Sequence, residues 1–114
     1  MPLLKIDTNV LIETEAKHVL LAKASKLVAE ILGKPESYVM VKLENNPDMM
    51  FAGNTTPLVY AELKSIGLPE TKTKDFSASL ASLFAEELQV DAQRVYIEFA
   101  NAERHMWGWN GSTF

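Results

Sequence analysis

The stretch "PLLKIDTN" at residues 2–9 returns in the second half of the chain as "PLVYAELK" at residues 57–64. Both stretches begin with a proline and continue with alternating apolar and polar side chains, which is typical of a β-strand. Proline has no N–H group for the hydrogen-bond ladder of a sheet, so the first residue of a strand is one of the few places that tolerate it. Each stretch therefore predicts a strand that begins at its proline.

A second pair of similar stretches follows the same plan. "YVMVKLEN" at 38–45 is answered by "VYIEFAN" at 95–101. At a shift of 56 residues four positions coincide, with Val39, Val41, Leu43 and Asn45 falling on Val95, Ile97, Phe99 and Asn101. The chain is thus an internal repeat of about 1–56 and 57–114 within a single domain that spans residues 1–114.

Helical periodicity fills the interval between the strands of each half. In the first half, apolar residues recur at three-to-four spacing between residues 16 and 31, Thr14 is a plausible N-cap, and Gly33 followed by Pro35 is a stop signal. The second helix is predicted from about Thr71 to Leu88. Its inward side chains are Phe76, Leu80, Leu83, Phe84 and Leu88.

The predicted fold class is α/β (α+β), built from two βαβ repeats. Their crossovers should be right-handed and should join parallel strands, and the two units form one four-stranded sheet with two helices on one face. The other sheet face is then bare, and we expect it to be lined by apolar residues such as Leu4, Ile6, Val39 or Val41, Leu63 and Ile97. A bare apolar face and the unpartnered segment "MMFAG" (49–53) both predict an oligomer.

Composition excludes several classes of function. The formal net charge of −4 and the lack of a Lys/Arg block argue against a nucleic-acid partner. The absence of cysteine excludes disulfides and thiolate chemistry, and His18 and His105 alone offer little for a metal site, so no metal is expected. No apolar run approaches membrane-spanning length and the N-terminus lacks the plan of a signal peptide, so we expect no membrane partner and a cytoplasmic location.

Five short stretches carry a resemblance over essentially the full length of the chain. Together with Pro2 they are "TNV" (8–10), "GKP" (33–35), "SIG" (65–67), "DAQRVYI" (91–97) and "GWNGSTF" (108–114). In this order and spacing they resemble the macrophage migration inhibitory factor family of the tautomerase superfamily. The resemblance implies a homotrimer whose sheets line a central barrel, and a leaderless secretion is possible as in that family.

The activity implied by the resemblance is keto–enol tautomerisation of small aromatic α-keto acids such as phenylpyruvate, with dopachrome-type isomerisation as a related reaction and no cofactor. Such a reaction needs a base of near-neutral pKa. An α-amino group begins near pH 8, and burial beside a cation lowers its pKa further. Pro2, freed of Met1, would supply such an amine as the catalytic acid/base. The alternative is that Pro2 only begins a strand.

Three more site residues follow from the resemblance. Lys34 would lower the pKa of the amine and bind the substrate carboxylate, although a lysine near a helix C-terminus also favours the helix dipole. Tyr96 matches a phenol that reaches in from a neighbouring subunit, and its alternative is an aromatic side chain at an interface. Ile66 matches a residue that gives a backbone amide and an apolar wall.

Two departures from the family pattern affect the expected activity. Glu98 stands where many members have an amide, and its carboxylate would repel an anionic substrate or pair with Lys34. Trp107 replaces a small aliphatic residue at the pocket rim, where it would stack on an aromatic substrate or narrow the mouth. Low tautomerase activity is therefore expected. The alternatives are a non-enzymatic, cytokine-like immunomodulatory trimer with a relict pocket, and a purely structural trimer.

Overall fold

Each half of the chain forms a strand, a helix and a second strand in the computed structural model, which describes residues 1–114. The first half contains β1 (Leu3–Thr8), α1 (Thr14–Leu32) and β2 (Met40–Asn45). The second contains β3 (Val59–Ile66), α2 (Thr73–Leu88) and β4 (Val95–Ala102). A short tail hairpin of β5 (Gly108–Trp109) and β6 (Ser112–Thr113) follows. The predicted repeat is confirmed element by element.

The four long strands form one mixed sheet in the order β2-β1-β3-β4. Within each half the two strands are parallel, as the helical crossovers require, and the halves meet through the antiparallel pair β1 and β3. Both helices pack against the same face of this sheet and share one apolar core with it. The predicted α+β architecture, with two helices on one face of a four-stranded sheet, is confirmed.

The helix ends differ in part from their predicted positions. Gly33 ends α1 in the left-handed conformation at φ 62°, and the N–H of Lys34 donates to the carbonyl of Ala29 at 3.0 Å, as the predicted stop signal requires. The N-cap is Glu13 rather than Thr14, because the extended backbone stands at Glu13 and Thr14 is already helical. The predicted start at Thr71 lies in a short 3₁₀ turn that precedes α2.

The prediction for the bare sheet face is wrong. Leu4, Ile6 and Leu63 are fully buried between the sheet and the helices, and Val41 and Ile97 pack against the same core. The alternate residues line the open face and are mostly charged or phenolic: Lys5, Asp7, Lys42, Glu44, Tyr60, Glu62, Lys64, Tyr96 and Glu98. Each helix has an apolar stripe that must be buried against an apolar surface. The apolar side chains of every strand therefore point toward the helices, and the polar ones point away.

Strands β2 and β4 each pair with a single neighbour and form the two edges of the sheet. Neither helix combines the length and the apolar character that crossing a membrane requires.

Candidate active site

Pro2 lies directly before β1 and is buried, and its carbonyl accepts a hydrogen bond from the N–H of Met40 at 3.0 Å. It borders a cavity of about 290 Å³. Residues 1–3, 37–40 and 107–109 and the terminal Phe114 line this cavity, and most of them are hydrophobic. Pro2 and Trp107 therefore line the same apolar cavity, and their roles there stay predictions.

The far wall of this cavity is an aromatic cluster. Trp109 stacks on Phe114 with ring centroids 5.3 Å apart, and Tyr38 meets Trp109 and Phe114 edge-on at 5.5 and 5.8 Å. The tail hairpin presents Trp109 because Asn110 and Gly111 both have positive φ, the pattern of a type I′ turn. The sequence analysis did not assign Tyr38, Trp109 or Phe114 to the site, although Asn-Gly in the tail is a recognised hairpin signal.

The electrostatics at this end of the sheet favour a neutral amine. In the chain that begins with Met1, the pKa of the N-terminal amine is lowered from its ordinary value, first by burial and then by the nearby charge of Lys34. The Lys34 ammonium makes no ion pair with any carboxylate of the protomer. Its charge is therefore not neutralised within the chain.

Ile66 belongs to the same end of the molecule. It is the last residue of β3 and is buried. The antiparallel register pairs Leu3 with Lys64, so the end of β3 lies beside the start of β1. Pro2, Lys34, Ile66 and Trp107 thus all lie at one end of the sheet, but only Pro2 and Trp107 line the cavity.

Tyr96 lies at the opposite end of the sheet. It pairs with Tyr60, which in turn pairs with Asp7 on β1. Pro2 stands five residues before Asp7, so about 16 Å of strand separates Pro2 from the level of the sheet at which Tyr96 lies. The Tyr96 side chain is 65% exposed on the open face. One protomer therefore does not bring Tyr96 and Pro2 together.

Tyr96 lines a second apolar cavity, of about 500 Å³. Residues 49–52 and 58–60 line it together with Tyr96, and every lining residue is hydrophobic. The ring of Phe51 lies 4.6 Å from that of Tyr96, centroid to centroid.

Glu98 also lies on the open face, one row from Tyr96. Its Oε2 atom accepts a hydrogen bond from the Tyr60 hydroxyl at 2.7 Å, and this bond is the main reason why the pKa of Tyr60 rises to about 12. A pairing of Glu98 with Lys34, one of the two expected alternatives, is not formed within the protomer. No group of three or more His, Asp or Glu side chains is gathered where it could hold a metal ion.

Comparison with known proteins gives one consistent result. The sequence model described as "Macrophage migration inhibitory factor (MIF)" matches residues 1–114. A macrophage migration inhibitory factor homolog of Brugia malayi is 41% identical over 115 residues, which cover 100% of this chain and 99% of that protein.

Solved structures give the same result as the sequences. A macrophage migration inhibitory factor homologue from Prochlorococcus marinus superimposes with a TM-score of 0.92 at 42% identity, over 98% of both chains. The macrophage migration inhibitory factor from Trichinella spiralis gives a TM-score of 0.91 at 34% identity, over 98% of this chain and 99% of that one.

Proposed function

This chain belongs to the macrophage migration inhibitory factor family of the tautomerase superfamily, and from that premise we propose that it is a keto–enol tautomerase of small aromatic α-keto acids such as phenylpyruvate. One observation carries the proposal. Pro2, at the start of β1, is buried beside an aromatic-walled cavity, next to the Met1 amine whose pKa is lowered first by burial and then by the charge of Lys34.

The proposed chemistry begins with the removal of Met1. While Met1 is attached, the nitrogen of Pro2 is an amide and has no basic lone pair. After its removal that nitrogen becomes a secondary amine, one residue deeper in the structure than the amine of Met1. The amine takes a proton from the carbon next to the substrate carbonyl, and the C–H electron pair forms the C=C bond of the enol while the C=O π pair moves to the oxygen. The oxygen takes a proton from solvent water, and the protonated amine returns its proton to solvent. The reverse sequence regenerates the keto acid without any cofactor.

The other residues at this end bind and orient the substrate. The Lys34 ammonium is suited to the substrate carboxylate because no carboxylate of the protomer neutralises it. Trp107 and the aromatic cluster of Tyr38, Trp109 and Phe114 give the substrate ring apolar contacts. Ile66, which does not line this cavity, would contribute its backbone amide from the nearby end of β3.

We propose that the working assembly is a homotrimer in which Tyr96 of one protomer completes the site of the next. Two features support it: the distance between Tyr96 and Pro2 within one protomer, and the all-apolar cavity around Tyr96, which gives a neighbouring chain a surface to cover. A monomer mass by light scattering at micromolar concentration would overturn the trimer. The proposed location is the cytoplasm.

The central test compares two equivalent prolines. Pro2→Gly keeps a free N-terminal amine but makes it a primary amine without a fixed direction. Pro57→Gly is the same substitution before the corresponding strand of the second half, where the nitrogen is an amide and has no catalytic role. We expect turnover of phenylpyruvate to fall at least a hundredfold in Pro2→Gly and by less than threefold in Pro57→Gly. Intact mass must first show that Met1 is removed, and a preparation that retains Met1 should be inactive. Equal activity of wild type and Pro2→Gly would overturn the proposal.

The proposed low activity is assigned to Glu98, which would stand near an anionic substrate in the assembled site. At an effective dielectric constant of about 20, two like charges roughly 6 Å apart repel by about 2–3 kcal/mol. Glu98→Gln should therefore increase kcat/KM for phenylpyruvate, while the amide oxygen can still accept the Tyr60 hydrogen bond. An unchanged kcat/KM across neutral pH would show that Glu98 faces solvent only.

The second candidate function is a non-enzymatic, cytokine-like immunomodulatory trimer with a relict pocket. Glu98 favours it, because its carboxylate is held by a phenol rather than neutralised by a cation. It predicts an intact trimer with no turnover in the wild type.

A further inference from the structure

Arg94 holds the loop between β2 and β3 through most of its donors. Its Nη1 atom donates to the carbonyl of Phe51 at 2.7 Å, and its Nη2 atom donates to those of Thr56 at 2.9 Å and Asn54 at 3.3 Å. Its Nε atom donates to the carbonyl of Pro57 at 3.4 Å. A single guanidinium therefore gathers four carbonyls of one loop, an arrangement for which its planar fork is suited and a lysine ammonium is not.

The same guanidinium also stacks. Its central carbon lies 5.1 Å from the centroid of the Phe51 ring, and the Phe51 ring lies against the ring of Tyr96 at 4.6 Å. Arg94, Phe51 and Tyr96 thus form a row in which each member contacts the next.

The ring of Tyr96 borders the apolar residues of this loop and is otherwise open to solvent. Its side chain is 65% exposed, and its hydroxyl makes no hydrogen bond within the protomer, in contrast to that of Tyr60. Its aromatic contact is with Phe51. Phe51 in turn sits in a tight turn whose Ala52 and Gly53 both have positive φ, closed by two backbone hydrogen bonds between Phe51 and Asn54. The direction of the Tyr96 ring therefore depends on a loop that Arg94 fixes.

We infer that Arg94 is a positioning residue: by fixing Phe51 it aims the Tyr96 phenol toward the catalytic cavity of the neighbouring protomer. The inference rests on the proposed function, in which Tyr96 completes that cavity. Arg94 acts indirectly, since four of its five N–H groups donate to backbone carbonyls of the loop. It acts through the ring of Phe51.

The test uses the assembled protein with the variants Arg94→Lys and Phe51→Leu. Arg94→Lys keeps the positive charge and Phe51→Leu keeps an apolar side chain, but each removes a contact between Arg94, Phe51 and Tyr96. We expect each to lower kcat/KM for phenylpyruvate about tenfold, because a small displacement of a group in the site lowers the rate strongly. In a Tyr96→Phe background, which lacks the hydroxyl, the same substitutions should change kcat/KM by less than twofold. Arg104→Lys, at the only other arginine, is the matched control and should leave kcat/KM unchanged.

The background comparison separates positioning from a general loss of structure. If Arg94→Lys lowers activity by the same factor with and without the Tyr96 hydroxyl, or has no effect in either case, the inference is overturned. A second measurement does not need turnover. The near-ultraviolet circular dichroism that Tyr96 contributes, obtained by subtracting the Tyr96→Phe spectrum, should collapse in Arg94→Lys and persist in Arg104→Lys. If the wild type shows no turnover, the proposed function fails and this spectrum alone decides whether Arg94 orients Tyr96; persistence of the signal overturns the inference.

Discussion

The two ends of the sheet solve the same structural problem with different chemistry. Tyr38 and Arg94 occupy equivalent positions, 56 residues apart, just before the second strand of each half. Tyr38 holds the tail hairpin through edge-on contacts with two aromatic rings, whereas Arg94 holds the loop before β3 through hydrogen bonds to four carbonyls. The repeat therefore supplies a common frame, and the segments added at its two ends differ.

The cations at the two ends differ in the same way. Lys34, near the start of β1, makes no ion pair, and its charge adds to the effect of burial in lowering the pKa of the Met1 amine. Arg94 has its donors engaged by the backbone. A cation whose donors are engaged stabilises structure, while one whose charge is left unneutralised beside an amine is available for chemistry. This contrast distinguishes the two ends more clearly than their similar positions in the repeat.

The largest expected effect on stability lies in the aromatic end. Trp109→Ala removes a stacked pair with Phe114 and an edge contact with Tyr38, so we expect the free energy of unfolding to fall by about 2 kcal/mol, as for a half-buried tryptophan. Leu11→Ala, an exposed position in the loop after β1 at the other end of the sheet, should change it by less than about 0.5 kcal/mol. Urea unfolding measures both, and equal losses would show that the tail is not anchored by its rings.

The next effect separates the two cations. Lys34→Ala should raise KM for phenylpyruvate about tenfold, equivalent to about 1.4 kcal/mol, because a charge-assisted contact to the carboxylate is lost. Removing a nearby positive charge also stabilises the protonated amine, so the pKa of the catalytic amine should rise and the pH–rate profile should move to higher pH. Lys26→Ala, on the exposed side of α1, is the control. An unmoved profile and KM would leave Lys34 only a helix-end role.

The smallest effects compare the two turns. Ala52 and Asn110 occupy the same position of a two-residue turn, each at φ 53°. Asparagine tolerates this left-handed conformation better than alanine. Ala52→Asn should therefore stabilise the protein by about 0.5 kcal/mol and Asn110→Ala should destabilise it by about 0.5–1 kcal/mol. Thermal unfolding of both variants checks the opposite signs; shifts of the same sign would contradict the equivalence of the turns.

The elements of the fold were predictable from the sequence because their signals are local. Gly33 ends α1 as predicted, and the inward face of α2 is the one that periodicity indicated. The direction of the sheet faces was not predicted correctly. Alternation shows that Leu4 and Lys5 point to opposite sides of the sheet, but it does not show which side the helices cover. Because an apolar interface between subunits was expected, the apolar side chains were assigned to the open face, whereas the structure buries them under the helices.

The candidate site was predictable only in part. Pro2, Lys34, Ile66 and Trp107 lie at one end of the sheet, although only Pro2 and Trp107 line the cavity, and Tyr96 and Glu98 lie elsewhere on the open face. The roles of all six residues stay predictions. Arg94 was missed as a positioning residue because its partners are backbone carbonyls, which leave no trace in the sequence. Tyr38 was missed because its contacts come from a tail far away along the chain.

The two unpaired edges of the sheet have a consequence for the behaviour of the protein at different concentrations. With one open edge on β2 and another on β4, each chain is a bifunctional unit in the sense of polymer chemistry. Such units either close into rings or add end to end without limit. Ring closure joins two edges of the same assembly, so the effective concentration of one edge near the other is fixed by geometry. The rate at which a further chain adds to an open edge instead rises with the protein concentration. Dilution therefore favours the closed ring over the filament, and crowded expression is the condition under which this sheet is most exposed to open-ended growth.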